Sequence, residues 1–97
     1  MVATYQIRLP DELAELIRGL HPELKARFKS ALAMLLTGPY CGKALREELS
    51  GLRTFRVKRM RIVYRIADQQ IIEVVAIGPR HNIYEETFRI ISRREKN

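Results

Sequence analysis

Along residues 53–58 and 61–67 apolar residues recur at every second position, and this restricts the fold more than any other feature of the chain. Residues 53–58 (RTFRVK) put Phe55 and Val57 on one face and Arg56 and Lys58 on the other. Residues 61–67 (RIVYRIA) put Ile62, Tyr64 and Ile66 opposite Arg61, Val63 and Arg65. Both segments read as half-buried strands. Residues 71–77 (IIEVVAI) are nearly all apolar, as in a strand covered on both faces. Arg59-Met60 reads as a tight connection, Asp68-Gln69-Gln70 as a second turn, and Gly78-Pro79 as the end of the last strand. The segment is a meander.

The first half of the chain repeats differently. Residues 3–9 (ATYQIRL) alternate and predict one strand. From about Pro10, Leu13, Leu16, Ile17 and Leu20 follow helical spacing, with Asp11 and Glu12 near the positive end of the helix dipole. A second helix starts near Pro22 and carries Leu24, Phe28, Ala31, Leu32 and Leu35 on one side, until Gly38-Pro39 stops it. A C-terminal helix runs from about Tyr84 to Ser92, with a short apolar stripe of Phe88, Ile90 and Ile91. The order βααβββα predicts an α+β domain spanning residues 1–97. Its helical hairpin packs on one face of a mostly antiparallel sheet, with the helices expected on one sheet face.

Charge narrows the choice of partners. Eighteen Lys and Arg oppose 11 Asp and Glu, a formal charge of +7, which favours nucleic acid, an anionic membrane or an acidic protein. Arg53, Arg56, Lys58, Arg59, Arg61 and Arg65 fall within 13 residues that hold no carboxylate. Alternation places Arg56, Lys58, Arg61 and Arg65 on one face of two neighbouring strands, where like charges repel. A fold gains nothing from this, whereas a site that grips phosphate does, because guanidinium groups fork onto its oxygens. The pattern points to polyanion binding and does not by itself specify catalysis.

Other features exclude classes. A single cysteine, Cys41, forms no internal disulfide, and with two distant histidines it offers no metal-ligand spacing, so neither a metal nor a cofactor is expected. The start MVATYQIRLP lacks a signal-peptide pattern, and the longest apolar run, Ala31 to Leu36, is too short to span a membrane. A cytoplasmic protein with no membrane partner is expected.

Three stretches carry a family resemblance: Lys43 to Lys58 (KALREELSGLRTFRVK), Met60 to Asp68 (MRIVYRIAD) and Val74 to Glu85 (VVAIGPRHNIYE). Together they resemble the RelE/ParE superfamily of toxins, most strongly in Arg61-Ile62-Val63-Tyr64-Arg65 and then in Gly78-Pro79-Arg80 with Tyr84. The resemblance implies a RelE-like, microbial-ribonuclease-like fold and the toxin half of a type II toxin–antitoxin system. In the RelE branch it implies an endoribonuclease that cuts mRNA in the ribosomal A site. There the RNA's own 2′-hydroxyl attacks, leaving a 2′,3′-cyclic or 3′-phosphate and a 5′-hydroxyl. The superfamily also contains gyrase poisons, and charge alone would suit a non-catalytic nucleic-acid-binding domain.

By position, the resemblance implies that Arg56 and Lys58 are the basic pair of the first meander strand and that Arg61 is a phosphate contact. Arg80 is a phosphate clamp and candidate acid, and Tyr84 stacks on or orients a base. The first of the pair is often lysine; Arg56 stays protonated and acts by charge. Lys58 is then either the base, if its neighbours lower its pKa, or a plain phosphate contact. His81 is either a general acid or an exposed loop residue. His21, in the break between helices, reads as structural; Glu47 and Glu48 read as solvated. Lys43, Arg46, Arg53, Arg59 and Arg65 extend the positive surface toward RNA or the ribosome. The implied partners are the ribosome with its mRNA and a cognate antitoxin in a hetero-oligomer. The antitoxin would cover or distort the basic face and could replace the C-terminal helix.

Overall fold

The computed structural model describes residues 5–68 and 70–95. The chain runs β1 (Gln6–Arg8), α1 (Asp11–Arg18), α2 (Pro22–Thr37), β2 (Lys43–Ala44), β3 (Arg53–Val57), β4 (Met60–Ala67), β5 (Ile71–Pro79) and α3 (Arg80–Glu95). Short 3₁₀ turns at Pro39–Cys41 and Glu47–Leu49 flank β2. Among the described residues, five strands form one sheet in the order β1-β5-β4-β3-β2. Only the β1–β5 pair is parallel. The α+β architecture and the helical hairpin follow the sequence pattern. The two-residue strand β2 was not visible in it, because two residues carry no period. Met1–Thr4, part of the expected first strand, lie outside the described residues.

The helix starts follow local chemistry. Pro10 precedes α1, with Asp11 and Glu12 in its first turn. His21 caps α2: its Nδ1 accepts from the Glu23 N–H at 3.4 Å, and Pro22 fills the first helical position, where an N–H is dispensable. Phe28, Ala31 and Leu35 of α2 and Ile17 of α1 are buried against Val57, Ile62, Tyr64, Ile72, Val74 and Ile77. That is the hairpin face of the sheet.

The third helix departs from expectation. It starts at Arg80, not near Tyr84, and covers the opposite face. There Ile83, with Tyr84, Ile90 and Ile91, packs on Leu52, Val63, Val75 and Ala76. Both faces of the sheet are thus covered, which explains the continuous apolar run of β5. A bulge makes this possible. Val63 pairs with Ala76 but Tyr64 pairs with Val74, leaving Val75 as an extra residue. One inserted residue exchanges the faces of everything beyond it. Val74 and Ile72 therefore point to the hairpin, and Glu73 lies on the α3 side.

Candidate nucleic-acid interface

Arg56 on β3 pairs directly across from Arg61 on β4, and Arg61 pairs with Gly78 on β5. The row lies on the α3 face. Gly78 is there because α3 begins two residues later and folds back over it. A Cβ at Gly78 would meet Ile83 Cδ1 at 3.2 Å, so the missing side chain lets the first turn of α3 seat on the row. Arg80, the first residue of α3, thereby starts beside the pair, at the helix end whose free N–H groups favour anions.

No described carboxylate forms an ion pair with Arg56, Arg61 or Arg80. Arg56 is exposed; its Nε donates to the Lys58 carbonyl at 2.9 Å, and its side chain lines the groove against α2 with Arg27 and Lys58. Arg61 is half-buried, and its Nε is enclosed without a hydrogen-bond partner. A donor left in that state costs about 1–3 kcal/mol. Three guanidinium groups with no neutralising partner suit a ligand that brings its own negative oxygens.

Helix α3 adds a second wall. Successive helical residues turn about 100°, so Arg80, Tyr84 and Phe88 wind along one flank. The direction of that flank is set by its neighbours: Tyr84, half-buried, packs against the cluster of Leu52, Val63, Val75, Ala76 and Ile83, and Ile91 lines a cleft with Glu48, Gly51 and Leu52. The flank therefore faces the β3 side of the sheet, where Arg56 lies. His81 is the second residue of the helix and exposed, rather than part of a loop. Strand alternation, which would have turned it away from Arg80, does not operate there.

The structure moves several residues out of the basic row. Lys58 is not on β3; the strand ends at Val57, which pairs with Met60, so Lys58-Arg59 is the turn. Lys58 has φ +58°; it lines one groove against α2 together with Arg56, and a second with Glu23, Arg27 and Arg59 that Arg56 does not reach. The tight connection is thus Lys58-Arg59, not Arg59-Met60. Arg53 shares the hairpin face with Phe55; its Nη1 donates to the carbonyls of Gly42 (2.7 Å) and Tyr40 (3.2 Å), and it lies 5.0 Å from the Tyr40 ring centroid. It holds a loop. Arg65 is on the α3 face but donates to Glu73 Oε1 at 2.7 Å. Lys43, Arg46 and Arg59 are exposed around β2 and the hairpin turn.

Sequence reasoning missed Glu73. Arg65, Arg94 and Arg8 converge on it at 2.7, 3.4 and 3.6 Å, joining β4, α3 and β1. Burial pushes this carboxyl up, but the Arg65 hydrogen bond and the three nearby charges outweigh it and hold the pKa below the usual value. The signal was present as a lone acid inside an apolar strand. On the hairpin side, Tyr64 is fully buried; its hydroxyl donates to the Pro39 carbonyl at 2.8 Å and accepts from the Gly42 N–H at 3.1 Å. Burial raises its pKa, against the opposing Gly42 bond. Among the described residues no group of three or more His, Cys, Asp or Glu could hold a metal, and no helix is long and apolar enough to cross a membrane.

The sequence matches the family model of the ParE toxin of type II toxin–antitoxin systems, parDE, over residues 8–84. No curated protein matches it significantly. In the toxin–antitoxin complex RelBE2 of Mycobacterium tuberculosis, one chain is 27% identical with a TM-score of 0.68; the match covers 80% of this chain and 100% of that one. A mutant of the Escherichia coli toxin RelE in its free state is 18% identical, with a TM-score of 0.72 and coverage of 94% and 97%. The RelE–RelB complex of Pyrococcus horikoshii gives 19%, 0.65, and coverage of 79% and 96%. The last two are similarities of fold.

Proposed function

Because the chain belongs to the ParE toxin family of type II toxin–antitoxin systems, within the RelE/ParE superfamily, we propose that it acts as a RelE-type, ribosome-dependent endoribonuclease. The observation that carries this reading is the Arg56–Arg61 pair with Arg80 at the start of α3, none of them ion-paired to a described carboxylate and the Arg61 Nε without a described hydrogen-bond partner. A phosphodiester under attack by its own 2′-hydroxyl gains negative charge on its non-bridging oxygens. Arg61 and Arg56 receive those oxygens from the sheet, and Arg80 approaches from the start of α3, near the leaving 5′-oxygen. Preorganised charge of this kind is worth several kcal/mol in the transition state.

Arginines cannot take up a proton at neutral pH. His81 hands a proton to the departing 5′-oxygen, and the proton of the attacking 2′-hydroxyl passes to solvent water. Lys58, in the turn, serves as an outer phosphate contact and not as the base. Tyr84 presents its ring to the base next to the cut. Lys43, Arg46 and Arg59 meet ribosomal RNA around the rim. Arg53 and Arg65 hold the scaffold. The protein works in the cytoplasm, as one domain without metal or cofactor, and is neutralised in a hetero-oligomer by an antitoxin bearing carboxylates for the basic row.

The assay is primer extension on mRNA incubated with the protein, with and without programmed ribosomes. Cleavage within codons only in their presence supports the reading; intact mRNA in both arms overturns it. One observation favours a second reading: the matching family model is that of the ParE toxins. Inhibition of gyrase supercoiling by the purified protein, without mRNA cleavage, would select that alternative.

A further inference from the structure

Phe88 is the apolar residue of α3 that packing does not explain. It is 48% exposed and belongs to neither core cluster, while Ile83, Ile90 and Ile91 of the same helix are packed. The sequence placed it in the helix's buried stripe; the structure places it beside that stripe. It follows Tyr84 by four residues, one turn or about 6 Å further along α3. Arg80, Tyr84 and Phe88 thus lead away from the arginine row along the flank that faces β3 and the Glu47–Leu49 turn. Exposed aromatics in sequence beside a cationic groove are how proteins hold single strands, one base on each ring.

We infer that Phe88 is a second base-stacking platform, which extends the interface by one nucleotide beyond the base on Tyr84. This rests on the nucleic-acid reading of the arginine row. Rings a helical turn apart are spaced more widely than stacked bases, about 3.4 Å in a duplex strand. The two nucleotides must therefore be splayed, as in unpaired RNA segments. The ligand is a single strand of at least two unstacked bases, and the ring, not its edge chemistry, does the binding.

The probes are 2′-O-methyl oligonucleotides of mixed sequence, two and four nucleotides long, titrated at low salt against the full chain. Wild type should bind the tetranucleotide more tightly than the dinucleotide. Phe88→Ala should weaken the tetranucleotide roughly tenfold and hardly affect the dinucleotide, whereas Phe88→Tyr should stay near wild type. If Phe88→Ala binds the tetranucleotide like wild type while Arg61→Ala does not, the platform is wrong and the arginine row stands. An equal loss in Phe88→Tyr also overturns the platform. If Arg61→Ala binds like wild type, or wild type binds neither probe, the nucleic-acid reading falls and the inference with it.

Discussion

Arg56 and Arg61 face each other across neighbouring strands, with no described carboxylate paired to either. A directly opposed pair of like charges costs a few tenths of a kcal/mol or more. Removing one charge should therefore leave stability unchanged or slightly raised while activity disappears. Arg61→Ala and Arg80→Ala should each abolish growth arrest with circular dichroism and melting temperature retained. A folded Arg61→Ala variant as toxic as wild type would contradict the site.

Tyr84 should act through its ring. Tyr84→Phe is expected to keep most of the cleavage rate and Tyr84→Ala to lose roughly 5- to 100-fold, in line with the value of base stacking. The comparison is made on programmed ribosomes at fixed toxin concentration. Equal losses in the two variants would transfer the role to the hydroxyl.

His81→Ala should slow cleavage by about 10²- to 10⁴-fold, the usual contribution of a positioned proton carrier. Binding of uncleavable RNA should barely change. The measurement is the single-turnover rate alongside affinity. A loss confined to affinity would make His81 a contact instead.

Glu73 ties three elements together, and its stability contribution has a definite pH window. Its folded pKa is held below the ordinary 4.5. The contribution is thus complete above that value and lost as pH falls through the folded pKa. Glu73→Gln should cost about 1–2 kcal/mol at pH 7, because a charged hydrogen bond becomes a weaker one and the half-exposed arginines rehydrate. Urea unfolding at pH 7, 5 and 3 should show the gap between wild type and variant closing toward acid. A gap that is constant with pH would mean the cluster contributes nothing through charge.

The buried Tyr64 hydroxyl should be structural. Tyr64→Phe leaves the buried Gly42 N–H without its acceptor and should cost about 1–3 kcal/mol. Hydrogen exchange should speed up at Gly42 first. Unchanged protection there would show that the hydroxyl does not hold the loop.

The structural features that were legible in the sequence share a physical reason. Phe55 and Val57, then Ile62 and Tyr64, alternate with charged residues, so the covered face and the Arg56–Arg61 face could both be read. The bulge at Val75 could not, because inside IIEVVAI a slip of one residue exchanges one apolar side chain for another. Only Glu73 marked it. Lys58 was misplaced because alternation continues past Val57, and a positive φ at lysine has none of the Asn or Gly signature of a tight turn. The start of α3 was hidden by Arg80-His81-Asn82, which holds no apolar residue. That error left His81 open to being read as a loop residue.

On the proposed function, the arginine row stabilises attack by the RNA's own 2′-hydroxyl in the ribosomal A site. This is tested most directly with a programmed ribosome carrying mRNA in two forms, all-ribose or with a single 2′-deoxynucleotide at the mapped cut. The all-ribose message should be cut to a 5′-hydroxyl product and the deoxy-substituted one not at all. Equal cleavage of both messages, or cleavage of neither, would contradict it.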